Sequence, residues 1–431
     1  MKNVGLKEKQ VLSLSYGRII VKPIEKLRGL IPDSFETYQI VEPGDLIVRP
    51  TDLQNDMTSL RVGYVNDRGI ITSAYICLQV TDAVIPQFGY QMLNTYDLSK
   101  VFYGMGSGLR QNLEWADFKR MWVFVPPHDE QSAIVRFLAD ANQRLDKAIR
   151  AKRKTIALLN EQKQVVIDRS VTRGLNANVQ SRQCNFLALN SIPAHWDTSA
   201  LRRYWQVTDC KHLTVPFTDG GIPLASVVEV RNFSLNLVSS KKTSKPWYEK
   251  LIEGGRKPKR GDIIYCRNAS VGSSALVDTD EDFAMGQDVC LIRSSLQNQR
   301  FLNYVLHSAF MKHQLELILV GSTFKRINVS EIKALAVLIP PRSEQDDICR
   351  FLDAELASYD KARERLEAEI LLLREYRTRL IADIVTGKLD VREAAARLPI
   401  QAPAAMKPVD TPDDTDLDEP AEDLVEAEAG A

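Results

Sequence analysis

Cysteine is scarce and scattered in this chain. Cys77, Cys184, Cys210, Cys266, Cys290 and Cys349 are spread over 431 residues with no C-x-x-C pair, and the five histidines are not expected to cluster with them. A disulfide scaffold is excluded at this length, no metal site is expected, and free thiols in a reducing cytoplasm are the simplest reading. Long apolar runs are missing too. No window approaches 18 apolar residues and Met-Lys-Asn-Val-Gly opens no apolar leader, so neither a membrane span nor secretion is expected. Net charge is absent in the sum, with 56 Lys+Arg against 56 Asp+Glu, but not in its distribution. Residues 401–431 hold ten acids and one base, which leaves residues 1–400 with 55 bases and 46 acids, a surplus of nine. A moderately basic body is thus masked by an acidic Pro/Asp/Glu/Ala tail whose composition reads as disordered.

What the chain does contain is itself, twice. Pro126-Pro127-His128-Asp129-Glu130-Gln131 returns 214 residues later as Pro340-Pro341-Arg342-Ser343-Glu344-Gln345. The same offset carries Phe137-Leu138 onto Phe351-Leu352, Asp146-Lys147-Ala148 onto Asp360-Lys361-Ala362 and Val171-Thr172 onto Val385-Thr386. Upstream, Gly44-Asp45-Leu46-Ile47 matches Gly261-Asp262-Ile263-Ile264 with a small indel, and Gly106-Ser107 matches Gly321-Ser322. A period this long means a duplicated domain rather than a solenoid.

Each copy opens with strand-like runs punctuated by turn residues: Leu46–Val48, Gly69–Thr72, Tyr75–Val80 and Met121–Val125, then Asp262–Cys266, Val289–Ile292 and Ala336–Ile339. Short helices interrupt them, for instance Gln299–His313. Each copy then enters a long helix, about Asp129 to Thr172 and Ser343 to Thr386, free of Gly and Pro, with the double proline at its start and Gly174 or Gly387 at its stop. Ile134, Leu138, Ala141, Leu145, Ala148, Ile156, Leu159 and Val166 recur mostly by threes, fours and sevens, as do Leu352, Leu356, Tyr359, Ala362, Leu366, Ile370, Leu373, Leu380 and Ile384. Such spacing makes one apolar seam on a helix of roughly 65 Å. The two seams are expected to pack on each other within the chain; a local bundle or a homodimer seam is the alternative.

The paired P-P-x-x-E-Q entries, the two F-L…D helices, and the helix ends Val171-Thr172-Arg173-Gly174-Leu175 and Val385-Thr386-Gly387-Lys388-Leu389 resemble the specificity subunit of a type I restriction–modification enzyme. Val11–Ile20 and Ser34–Val41 are similar to that family as well. The resemblance spans roughly residues 1–390. It implies an α+β chain: two mixed α/β target recognition domains separated by two long helices packed as an antiparallel coiled coil, with a pseudo-two-fold internal repeat. The expected divisions are a first recognition domain at 1–126, a helix at 127–173, a linker at 174–190, a second recognition domain at 191–340, a helix at 341–387, an extension at 388–400 and the tail at 401–431. The implied partners are double-stranded DNA read as two half-sites, two copies of a methyltransferase subunit, and restriction subunits carrying motor and nuclease. One departure stands out. Ile192-Pro193-Ala194-His195-Trp196 opens copy two 65 residues before Gly261, whereas Gly44 of copy one is preceded by only 43 residues with no such opening, so the first domain is expected to be short at its front.

Catalytic motifs are lacking. No N-P-P-[YF] or D-P-P-Y loop serves methyl transfer. Gly387-Lys388 is not a phosphate loop, and neither Pro32-Asp33 nor Glu331-Ile332-Lys333 completes a PD…(D/E)-x-K nuclease set. A non-catalytic binding subunit without cofactor is expected; a coiled-coil adaptor that binds only protein, or a recognition subunit of another restriction class, is the alternative. The residues expected to touch DNA are basic and amide side chains in glycine-bearing loops: Arg49, Thr51, Gln54, Asn55, Arg110, Gln111 and Asn112 in copy one, and Arg267, Asn268, Ser270, Ser322, Thr323, Lys325, Arg326 and Asn328 in copy two. Arginine suits guanine, and asparagine or glutamine suits adenine. The five tryptophans are expected in the core, and His195 beside Trp196 as a packing or capping residue.

Overall fold

The computed structural model describes residues 1–23, 34–51, 53, 60–105, 112–186, 189–231, 233–319 and 326–399. The chain divides into two compact units, residues 1–153 with 366–431, and residues 154–365.

The first unit begins with a hairpin of β1 (Leu12–Ser15) and β2 (Arg18–Val21), joined through Tyr16 and Gly17, both left-handed as a two-residue hairpin turn requires. β3 (Gln39–Val41), β4 (Leu46–Val48), β5 (Val62–Tyr64), β6 (Gly69–Ile71) and β7 (Ile76–Leu78) follow; β3 pairs with β6, and β4 lies between β5 and β7. Then come α1 (Pro86–Leu98), the single turn α2 (Trp115–Phe118) and the long α3 (His128–Arg173). In the second unit β8 (Ser181–Phe186) lies within the stretch read as a linker and pairs with β9 (Leu189–Pro193), which runs from that stretch into the second recognition domain. β10 (Asp197–Ala200), β11 (Gln206–Asp209), β12 (Ile222–Ala225), β13 (Val230–Arg231), β14 (Ser234–Leu235), β15 (Lys242–Thr243), α4 (Lys245–Ile252), β16 (Ile263–Cys266), β17 (Ser274–Leu276), β18 (Ala284–Met285) and β19 (Val289–Arg293) follow. The main sheet runs β11-β19-β16-β17. After it come α5 (Gln299–Leu306), α6 (Ala309–Leu319), α7 (Val329–Ala334), β20 (Ala336–Ile339) and the second long helix α8 (Arg342–Val385). α9 (Arg392–Ala396) returns to the first unit, where Val391 joins a core with Phe88, Phe102, Ile134, Leu138, Ile381 and Ile384, and Ala395 is buried. The fold is mixed helix and strand in both units.

The duplicated motifs have duplicated physical work. Gly44 and Gly261 are left-handed (φ +99 and +91), and the aspartate after each closes a turn: Asp45 Oδ2 accepts from the Glu42 N–H (2.9 Å) and Asp262 Oδ2 from the Lys259 N–H (2.7 Å). That turn launches the central strand, β4 or β16, which lies between β5 and β7 in one unit and between β17 and β19 in the other. The glutamine of P-P-x-x-E-Q is wholly buried in both copies. Gln131 Oε1 accepts from the Ile85 N–H (2.7 Å) at the start of α1, while its Nε2 donates to Pro126 O (2.8 Å). Gln345 Oε1 accepts from the Asn298 N–H (2.9 Å) at the start of α5, and its Nε2 donates to Pro340 O (2.9 Å). Each amide thus fastens a short helix to the entry of a long one. Gln345→Ala strands a buried donor and acceptor and is expected to cost about 1–3 kcal/mol, read as a lower denaturation midpoint.

The long helices span the expected ranges and stop at Gly174 and Gly387, both left-handed (φ +71 and +76). Every residue named above for the two seams is buried or half-buried. In the first unit Lys152 pairs with Glu369 (2.5 Å) and Asp146 with the buried Arg377 (2.5 Å); in the second, Lys163 pairs with Asp360 (2.7 Å). The repeat offset maps Asp146 onto Asp360 and Lys163 onto Arg377, so the last two ion pairs are the same contact made once in each unit.

Three expectations need correction. Met121–Val125 is not a strand: Trp122 is 90% exposed and Phe124 72%. Its counterpart β20 is buried and paired with β10, which follows Ile192–Trp196. Among the described residues of the first unit no strand lies alongside 121–125, so the apolar pattern has nothing to pair with. The tryptophans are not uniformly core: Trp196 and Trp205 are buried, Trp247 is half-buried, and Trp115 and Trp122 are exposed. Helix Gln299–His313 is two helices, because Ser308 Oγ accepts from the Met311 N–H (3.3 Å) and begins α6 afresh.

His307 sits at that break, stacked on Phe233 (3.7 Å between centroids) with Nε2 hydrogen-bonded to Ser274 O (2.9 Å). Burial pushes its pKa down to about 4 from 6.5. As pH falls through that window the unfolded chain takes up a proton that the folded one refuses, so stability is lost on acidification, by up to about 3 kcal/mol. A His307→Gln variant is expected to flatten this part of the stability–pH curve.

Candidate nucleic-acid interface

The described candidate residues of copy two, Arg267, Asn268, Ser270, Arg326 and Asn328, lie where β16 ends or on the segment bridged to it. Arg267 leaves the strand buried, 5% exposed, and four segments meet on it. Its N–H donates to Asp288 O (3.0 Å) and its carbonyl accepts from the Ile327 N–H (2.9 Å). Its guanidinium bonds Asp209 Oδ2 (3.0 Å) at the end of β11 and lies 3.3 Å from His212 Nε2. Asn268 then forms an antiparallel bridge with Arg326. Two clusters nearly sixty residues apart in sequence, Arg267/Asn268/Ser270 and Arg326/Asn328, are therefore side by side. Arg326 and Ser270 are exposed and Asn268 is half-buried. The Asn268 Oδ1 accepts from the Ala269 N–H (2.9 Å), and Asn328 forms a capping box with Glu331 at the start of α7.

Three non-glycine residues at this end of the sheet are left-handed: His212 (φ 48), Ala269 (φ 55) and Asp288 (φ 64). Each costs about 1–3 kcal/mol of backbone strain, which persists where surrounding bonds over-determine the loop, as Arg267 does here. Asp209, Cys210 and His212 also group potential metal ligands, contrary to the expectation that no histidine would join a cysteine. The Arg267 guanidinium already supplies the positive charge beside Asp209 and His212, and burial raises the Cys210 thiol pKa, so the donor set suits an ion-pair cluster better than a cation.

Copy one repeats the plan. The Leu113 N–H donates to Pro50 O (2.8 Å), which brings Asn112 beside Arg49 and Thr51 just as Ile327 brings Arg326 beside Arg267. Arg61 organises these loops: it is wholly buried, its Nη1 donates to Thr51 O (2.6 Å), its Nε to the Tyr103 hydroxyl (3.2 Å), and its N–H to Asp97 Oδ2 (2.7 Å). Gln54, Asn55, Arg110, Gln111, Ser322, Thr323 and Lys325 lie outside the described residues. Sequence reasoning missed Arg61, His212 and Gln287. Arg61 sits between Leu60 and Val62, a signal of an arginine drawn into a strand, and Gly286-Gln287-Asp288 is a turn signal just before β19.

His195 Nε2 and the buried Trp196 Nε1 both hydrogen-bond Glu344 Oε2 (2.8 and 3.1 Å) in the first turn of α8, where a packing or capping role is the expectation for His195. Among the described residues no helix is long and apolar enough to cross a membrane.

Residues 218–371 match the type I restriction modification DNA specificity domain. The specificity subunit of the type I restriction enzyme MjaVIII from Methanocaldococcus jannaschii is 20% identical over 343 residues, covering 76% of each chain. A solved chain described under complex assembly and conformational transition of the type I R-M system aligns over 83% of this chain and 85% of its own, at 15% identity and a TM-score of 0.61. The HsdS subunit from Thermoanaerobacter tengcongensis aligns over 82% of each chain, at 16% identity and a TM-score of 0.40. Residues 218–371 are thus similar to a DNA specificity domain, and Arg267, Asn268 and Arg326 lie within that match. The chain is similar to specificity subunits of type I restriction–modification enzymes, the resemblance that its repeats carry.

Proposed function

We propose that this chain is the sequence-specific DNA-binding subunit of a type I restriction–modification complex, itself non-catalytic, working in the cytoplasm. Each unit's loop cluster reads one half of a split, asymmetric site. α3 and α8 pack antiparallel as the spacer, two methyltransferase subunits dock on the assembly, and restriction subunits join it. The observation that carries the reading is the loop cluster on Arg267, inside the matched domain, where Asn268 and Arg326 stand side by side. The twin contacts Asp146–Arg377 and Asp360–Lys163 support an internal two-fold relation. Apolar side chains exposed on the long helices, such as Leu371, Leu372 and Tyr376, support docking of further subunits there. The test is DNA binding by the chain with its modification subunit across a salt series. Affinity for a specific duplex should fall steeply with salt, with a slope set by the phosphates neutralised, and exceed that for random duplex. A protein-only adaptor would show no DNA dependence.

A further inference from the structure

Gln287 lies in the turn between β18 and β19, and both its neighbours are fixed. The Gly286 N–H donates to Ala225 O (2.7 Å), and a Cβ on Gly286 would stand 3.1 Å from Ser226 Cβ and 3.2 Å from Ala225 O, so the turn is pressed against β12. Asp288 is left-handed (φ 64) and its carbonyl is held by the Arg267 N–H (3.0 Å). β16 and β19 pair in a register that ends with Cys266 opposite Val289; the Arg267 N–H to Asp288 O bond follows it, and Asn268 and Gln287 are the next residues beyond that bond. Asn268 in turn bridges Arg326. Gln287, Asn268 and Arg326 therefore come together at the end of the sheet, beyond its last ladder pair.

The Gln287 side chain is exposed, and its one hydrogen bond among the described residues runs from Nε2 to Thr214 Oγ1 (3.1 Å). That bond restrains a rotamer-rich side chain on the surface. It leaves the amide oxygen and the second N–H without a partner among the described residues. An acceptor and a donor on one planar group is the pattern that matches adenine N6 and N7 in the major groove.

We infer that Gln287 is a base-reading residue for the half-site of the second unit, with adenine as its partner, and that Thr214 and the Arg267-held turn preset its amide. This deepens the proposed DNA recognition and rests on it. Neither Asn268, whose oxygen is spent on the Ala269 N–H, nor the capping Asn328 offers a free amide oxygen in the same way.

The experiment uses the full chain assembled with its modification subunit. Methyl transfer is measured on duplexes in which each base pair of the recognised site is replaced in turn, for the parent, Gln287→Ala and Gln287→Glu. The expected result is a 10- to 100-fold loss of discrimination at one A·T position of one half-site in the alanine variant, with the other half-site and the salt slope unchanged, and a shift at that position toward cytosine with glutamate, which only accepts. Parent-like discrimination at every position in Gln287→Ala overturns the inference. So does a uniform loss of affinity with a shallower salt slope, which marks a phosphate contact. A parent complex with no sequence preference at all sinks the DNA-recognition reading itself. Matching thermal unfolding of parent and variant confirms that the exposed substitution leaves the fold intact.

Discussion

An Arg267→Ala chain is expected to lose recognition of one half-site and keep the other. The guanidinium is buried against Asp209, while the residue's backbone holds Asp288 and Ile327, so the side chain is the strut on which loops 209–212 and 267–270 meet. Its removal leaves Asp209 without its cation and frees His212 and the turn at Ala269 to relax from their left-handed conformations. Breaking a buried pair costs about 3–5 kcal/mol when one partner stays behind; Asp209 is 29% exposed, so solvent screening holds the stability loss nearer the lower end. If loop order carries the reading, specific affinity should drop on the order of 100-fold, equivalent to about 3 kcal/mol, with binding to random duplex nearly unchanged. Arg267→Lys keeps a charge but not the two-pronged geometry, so it should recover only part. The measurement is specific against non-specific binding by fluorescence anisotropy, with each half-site scrambled in turn. Equal losses at both half-sites would show that Arg267 supports the whole chain and not one reading surface.

Arg377→Ala should be the most destabilising single change in the long helices. Arg377 is 2% exposed as a side chain and its Nη2 meets Asp146 Oδ1, so truncation leaves a carboxylate facing an apolar seam. Asp146 is 27% exposed, so solvent screening holds the expected cost near the lower end of about 3–5 kcal/mol. Its repeat-mate gives an internal control. Lys163 and Asp360 make the corresponding contact with side chains 25% and 40% exposed, so Lys163→Ala should cost about 1 kcal/mol or less. The pair Asp146→Leu with Arg377→Leu should restore much of what Arg377→Ala loses, because an apolar replacement of both partners removes the uncompensated charge. Denaturant unfolding of the four chains reads this directly. Equal effects at Arg377 and Lys163 would mean that burial does not separate the two contacts.

The parts of the fold that were legible in the sequence are those governed by local pattern. α3 and α8 could be read to within a residue or two because forty-odd positions without Gly or Pro carry one apolar seam and end on a left-handed glycine. The glycine–aspartate turns and the buried glutamines showed as repeats before their bonds were known. The meeting of residues 267–270 with 326–328 was legible only as two motifs of like composition, and the β-bridge between them depends on the sheet. What escaped is what neighbours decide. Met121–Val125 has a strand's composition, but a strand needs a partner, and β10 is the partner only in the other unit. Arg267 reads as a DNA-contacting residue and Arg61 stands in no repeated motif, yet both are buried and spent on backbone carbonyls or an aspartate, which is rare for arginine. The break at His307 follows from a serine cap whose strength no helical periodicity reveals.

If the chain directs a complex to a split DNA site, as proposed above, the length of the helix pair sets the gap between its two halves. Seven residues inserted after Ala151, with seven inserted opposite near Leu371, keep both seams in phase and add roughly 10 Å. Methylated sites are then mapped genome-wide in cells expressing the parent or the lengthened chain with its modification subunit. The account predicts two short, unlike blocks for the parent, and the same blocks with a gap longer by about three base pairs for the insertion. A contiguous parental site, or an unchanged gap with both blocks still read, would contradict it.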